Sequence, residues 1–182
     1  MGAWGEYDDE NDMVADEWID IEQNTMGRVL YEKAKHIMKS DYETLNAFRK
    51  DYAFNNPKKL YNEIKKWLTN FKSSDKIALA DFKETNNSDS RWVHSTIVGI
   101  ALKAARFMQN LPASDPLGPG IFDSGIPKSY PKDYPAWLKK EALQSLKLLM
   151  ELEKADTNAT GWVDPKKREK ALQNELLYFK KM

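Results

Sequence analysis

The chain contains no cysteine. That absence removes disulfides, thiolate metal ligands, cysteine nucleophiles and thiol redox switching together, and it suits a reducing compartment. Histidine is nearly absent as well, with only His36 and His94. No apolar run approaches the roughly 20 residues that a helix needs to cross a bilayer. The first residues lack the basic and apolar regions of a signal peptide. Gly2 is followed by Glu6 where myristoylation needs Ser or Thr. The sequons at Asn86-Asn87-Ser88 and Asn158-Ala159-Thr160 are chance matches without secretion. Several motifs are missing too: G-x-S-x-G, H-E-x-x-H, the P-loop and G-x-G-x-x-G do not occur. No repeat or sustained heptad is found. The expected location is cytoplasmic, with no membrane span.

What is present describes a globular chain. Its 182 residues are 41% apolar and include six tryptophans, enough for a single domain, 1–182, with its own core. A net charge of zero hides an asymmetry. Residues 1–22 carry nine acids and no Lys or Arg, so 28 basic residues face 19 acids over the rest of the chain. One reading is an acidic arm that docks on a basic face, of its own domain or of a partner. The other is that acids crowd the first turns of a helix, where the macrodipole favours them.

The dominant period is helical. Asn11 or Asp12 serves as an N-cap for Val14, Trp18 and Ile21, and Asn24-Thr25 is expected to interrupt that helix. A second apolar face runs Met26, Val29, Leu30 and Ile37. Ser40-Asp41-Tyr42-Glu43 opens a third helix carrying Leu45 and Phe48. Asn56-Pro57 then starts a helix with a clean stripe of Leu60, Ile64, Trp67, Leu68 and Phe71. Residues 73–83 read equally as helix or strand. A long helix from Asp89 or Ser90 to Asn110 carries Gly99, Ala101, Ala104 and Ala105, small residues that permit close packing, and is expected at the centre.

Residues 112–135 then hold six of the eight prolines, and this Pro/Gly-rich loop precedes two final helices. The first of these runs through Leu138, Ala142, Leu146 and Leu149, and the last follows Asp164-Pro165 with Ala171, Leu172, Leu176 and Phe179. The expected fold is all-α, a single compact domain of six to seven helices.

Met1, Gly2, Ala3, Trp4 and Gly5, followed by Asn11, Asp12, Ala15 and Asp16, form the most specific pattern in the chain. Without gaps they resemble a domain family of unknown function whose members open MGAWG or MGTWG. Two positions depart from its pattern. Asp9 stands where the family tends to have Phe, and Glu17 comes before Trp18 where the family has Trp directly after Asp16. One residue of shift rotates that indole about 100° around a helix. The layout of the C-terminal third, with Ala101–Ala105, Trp137-Leu138 and Trp162, is also similar. The resemblance implies a small, mostly helical domain with no assigned activity, cofactor or catalytic residue. It implies structural roles only: Trp4 packing between Gly2 and Gly5, and Asn11-Asp12 capping the first helix.

Chemistry-bearing signals are few. Asp8, Glu10 and Asp12 alternate like a calcium loop, but Met13 stands where Gly is needed and Ile19 where Glu is needed. No metal, cofactor or catalytic residue is therefore assigned. Residues 49–72 carry seven basic residues against Asp51 and Glu63, interleaved with Tyr52, Phe54, Tyr61 and Trp67. Basic and aromatic residues together suit nucleic acid, with Lys58, Lys59, Lys65 and Lys66 as the face. Lysines opposite an apolar stripe are equally a solvated face.

The leading expectation is a non-enzymatic protein-interaction domain or assembly component. A protein partner would meet Leu117, Ile121, Phe122, Ile126 and Tyr130 on the Pro/Gly-rich loop, or the acidic N-terminal segment. If the loop folds over the helices, those residues are a lid on the core. The runner-up is a nucleic-acid-associated protein using the 49–72 face. A third reading is an enzyme of unknown class, which a deep pocket holding His94 beside an acid would favour.

Overall fold

From Val93 to Ala105 every residue is buried, so the helix that carries them has neighbours on all sides. The structure, a computed structural model, describes residues 7–10, 12–27, 32, 56–74, 88–109, 125–127, 129–155 and 164–182. Among them it shows five α-helices, a 3-10 turn at Asp8–Glu10 and no strand. The helices are α1 (Asp12–Met26), α2 (Pro57–Ser74), α3 (Ser88–Met108), α4 (Ala136–Ala155) and α5 (Pro165–Lys181). The fold is all-α. Met26, expected to open a second apolar face, is instead the last residue of α1; Val29, Leu30 and Ile37 lie outside the described residues, as do Leu45 and Phe48 and most of 73–83 beyond the end of α2.

The all-buried helix, α3, takes α4, α1 and the 3-10 turn as neighbours, while α5 packs on α4 and α2 on α1. Its expected central place is therefore observed. Gly99 allows the closest approach. A Cβ there would sit 2.6 Å from the Asp8 carbonyl oxygen and collide with a methyl of Val14. The turn and α1 thus rest directly on the α3 backbone. The core is built from the expected stripes, including Val14, Trp18, Ile21, Leu60, Ile64, Leu146 and Phe179. Trp18 meets Phe107 edge to face, with ring centroids 5.6 Å apart. A smaller cluster joins Leu68 and Phe71 of α2 to Val93 and Ile97 of α3.

Helix ends follow their local chemistry. Pro57 opens α2, and the Asn56 carbonyl accepts the amides of Lys59 and Leu60. Asp164 caps α5 by accepting the amides of Lys166 and Lys167, with Pro165 next in line. The expected break at Asn24-Thr25 is not observed, since α1 continues through both residues to Met26. The Thr25 hydroxyl donates to the Ile21 carbonyl one turn back at 2.7 Å, so this residue satisfies itself within the helix. The stop is Gly27, at φ 79°, whose amide closes on the Gln23 carbonyl.

The C-terminal end of the Pro/Gly-rich loop is tied down. Pro127 and Pro131 are buried, Ile126 is partly buried against the core, and the Tyr134 hydroxyl donates to the Ala101 carbonyl of α3. Of the loop residues expected to meet a partner or cover the core, Ile126 is partly covered and Tyr130 is exposed. No helix among the described residues is long and apolar enough to cross a membrane.

Candidate functional site

Two regions concentrate the polar chemistry, and they differ in access. The first is sealed. Asp8, in the 3-10 turn, is fully buried, and its carboxylate accepts from Arg168 of α5 at 2.5 Å. Arg168 is itself only 1% exposed and also reaches Glu153 of α4 at 3.4 Å. The Asp8 backbone amide donates to Glu175 of α5 at 2.9 Å. One guanidinium therefore stands among three carboxyl groups drawn from the turn, α4 and α5.

Burial sets their ionisation. Glu175 is raised well above the ordinary glutamate range, first by burial and then by the adjacent Asp8 carboxylate. Glu153 is raised as well by burial, which Arg168 partly offsets. Burial pulls Arg168 down, but Asp8, Glu175 and Glu153 together hold it above its usual value. The raised Glu175 pKa lessens the negative charge set against Arg168, as a low-dielectric interior favours.

The neighbouring residue, Asp9, accepts the amide of Gly125 at 3.0 Å, and Arg106 of α3 donates to the Gly125 carbonyl at 2.6 Å. Gly125 has φ 84°, a conformation that favours glycine. The turn thus rests on α3 and binds α5 and the loop end, and Arg168 extends the link to α4. Residues Asp8 and Asp9 of the acidic segment dock on the chain's own domain, whereas Asp16 and Asp20 on α1 are exposed.

His94 lies in the same interior. Its Nδ1 is 3.0 Å from the Ser145 hydroxyl of α4. Its pKa falls to about 4, first through burial and then through Lys72; Asp8 and Glu141 oppose the shift without reversing it. At 6% and 2% exposure, His94 and Ser145 leave no room for a substrate to approach. The pair bridges α3 and α4.

The second region is open. A groove of about 320 Å³ runs between α1 and α2, lined by Glu17, Asp20, Ile21 and Asn24 on one side and by Glu63, Lys66, Trp67, Asn70 and Phe71 on the other. Trp67 stacks on Phe71 with ring centroids 4.9 Å apart, and its indole N–H donates to Glu17 at 2.5 Å. Trp67 belongs to the expected apolar stripe but is only half-buried, at the groove edge. Lys66 reaches Glu63 at 3.9 Å along the helix surface.

The residues singled out in the sequence are scattered. Lys58, Lys59, Lys65 and Lys66 are exposed on α2, as a basic face requires. Their aromatic neighbours are engaged elsewhere: Tyr61 packs against Tyr134 and Trp67 holds Glu17. Tyr52 and Phe54 lie outside the described residues. On the loop, Tyr130 is exposed and stacks on Tyr178 of α5, Ile126 is partly covered, and Leu117, Ile121 and Phe122 lie outside the described residues. So do Gly2, Ala3, Trp4, Gly5 and Asn11, while Asp12 is the first residue of α1.

Of the residues that build the sealed cluster, Asp8 drew attention only through the calcium-loop pattern that fails, and Glu153, Arg168 and Glu175 were not singled out. Arg168 sits in a Lys-Lys-Arg-Glu-Lys run that reads as a solvated face, and no spacing rule separates it from its neighbours. Among the described residues no group of His, Asp and Glu is arranged to hold a metal ion. No protein family, no curated protein and no solved structure matches this chain.

Proposed function

We propose that this chain is a non-enzymatic protein-interaction domain or assembly component, acting in the cytoplasm and related to the MGAWG-opening family that its first residues resemble. The observation that carries the reading is the location of the ionisable chemistry. Asp8, His94, Ser145, Arg168 and Glu175 are all buried and hold helices to one another. They are spent on the fold, and concave accessible surface lies instead in the α1–α2 groove. Exposed apolar groups supply further contact area, with Tyr130 and Leu177 at 44% and 51% exposure.

The test is capture of a protein partner by the intact chain, with two variants run beside it. In one, residues 112–124 are replaced by a short Gly/Ser linker. This leaves 125–135, which Asp9, Arg106 and Ala101 anchor, in place. The other carries Asp20→Lys and Glu63→Lys in the groove. A nuclease-resistant partner held by the intact chain and lost from either variant is the expected result. Recovery of nucleic acid alone, lost when Lys58, Lys59, Lys65 and Lys66 become Glu, would transfer the function to the basic face of α2.

A further inference from the structure

We infer that the α1–α2 groove receives an arginine- or lysine-bearing peptide segment of a partner protein. The inference deepens the interaction reading above and rests on it. Three features of the groove select this occupant. Its apolar part is presented mainly by the half-buried Trp67, over the buried Ile21 and Phe71, with Trp67 fixed in place by its stack on Phe71 and its hydrogen bond to Glu17. An aliphatic stem three or four carbons long fits such a surface, as long cationic side chains do elsewhere.

Charge is the second feature. The lining holds Glu17, Asp20 and Glu63 against Lys66 alone. The α1 wall carries five acids and no Lys or Arg, whereas the α2 wall carries five lysines against Glu63, so the charge that selects a cation is local to Glu17, Asp20 and Glu63. Lys66 is 70% exposed and 3.9 Å from Glu63, a surface pair that contributes little and yields readily to an incoming cation.

The third feature is Asn24 and Asn70, one on each wall, whose amides can both donate to and accept from a peptide backbone. Arginine is expected to bind better than lysine, because its planar fork pairs with carboxylates at two points and stacks on aromatic faces. A phosphate-bearing ligand meets the wrong sign of charge at this site.

The test uses the full 15N-labelled chain and capped ten-residue peptides, identical except at two central positions occupied by Arg, Lys, citrulline or Glu. The readout is the Trp67 indole N–H resonance, assigned with Trp67→Phe. The expected result is a saturable shift with Arg strongest, Lys weaker and citrulline weaker still, and none with Glu. Asp20→Lys with Glu63→Lys is expected to weaken Arg-peptide binding about tenfold or more while the remaining spectrum stays in place. Citrulline binding as well as Arg, or an unchanged affinity in the double variant, would overturn the proposal. So would a shift produced by an oligonucleotide but not by the Arg peptide. If the peptide binds as expected and no partner protein is captured from the native source, the interaction reading fails while the groove chemistry stands.

Discussion

The sealed cluster around Arg168 and the open groove around Trp67 contain similar residue types, acids beside a base and an aromatic core nearby, yet they do opposite work. In the cluster, Asp8 and Glu175 stand beside one buried guanidinium away from water, with Glu153 partly exposed at its edge. In the groove, Glu17, Asp20 and Glu63 stand at the surface with a single exposed lysine. Desolvation makes the difference. A buried charge is costly unless balanced, so every group in the cluster is committed to its partner. Groups at the surface keep their water and can exchange it for a ligand. Changes in the cluster are therefore expected to cost stability, and changes in the groove to cost binding.

The largest expected effect comes from removing the Arg168 guanidinium. Arg168→Met takes away the buried donor to Asp8, at a cost of about 3–5 kcal/mol. Denaturant titration with unchanged slope measures it, and a loss under about 1 kcal/mol would blur the distinction between the regions. Next comes Gly99→Ala, whose Cβ would press on the Asp8 carbonyl and on Val14. Backbone cannot give way as a side-chain tip can, so a loss of about 1–3 kcal/mol is expected. Amide exchange should show faster opening at Asp8 of the turn and Gly125 of the loop end than within α3.

Smaller effects appear in the pH dependence. The Glu175 pKa is raised in the folded chain, so its contribution to stability is present below its unfolded value and is lost as pH rises through the folded value. Glu175→Gln should flatten the loss of stability as pH rises above the unfolded glutamate range, and an unchanged slope there would show that Glu175 is not the proton holder. His94 runs the other way. Its pKa is depressed to about 4, so its contribution is present above its unfolded value near 6.5 and is lost as pH falls toward 4. His94→Asn should lose less stability between those limits than the intact chain. The smallest effect on stability belongs to Asp20→Lys, an exposed change expected to stay within about 0.5 kcal/mol. Its consequence is expected in peptide binding instead.

Much of the fold was legible because it is built from periodic stripes and local caps. Leu60, Ile64, Leu68 and Phe71 share a face through spacing alone, and Asp164-Pro165 announces a helix start whatever lies beyond it. The small-residue pattern around Gly99 also pointed to close packing, though not to the 3-10 turn that uses it. Thr25 was misread because its preference for turns was weighed without its ability to bond back to Ile21.

The sites were far less legible. Arg168 and Asp8 are 160 residues apart, and nothing local distinguishes a buried arginine from the lysines beside it. Trp67 was readable as part of a stripe, but whether a stripe residue lies at the centre or the edge of a core depends on the neighbouring helix. The same holds for Glu17 and Asp20. Their acidity was visible in the sequence, but their position opposite Trp67 is a product of α1 packing on α2.

The most direct test of the division between a structural interior and a binding surface is a pair of thermal unfolding curves, Arg168→Met and Asp20→Lys, recorded beside the intact chain. The expected result is a fall of about 10 °C for the first and a shift under about 2 °C for the second. Equal shifts, or an Arg168 variant that melts with the intact chain, would contradict it.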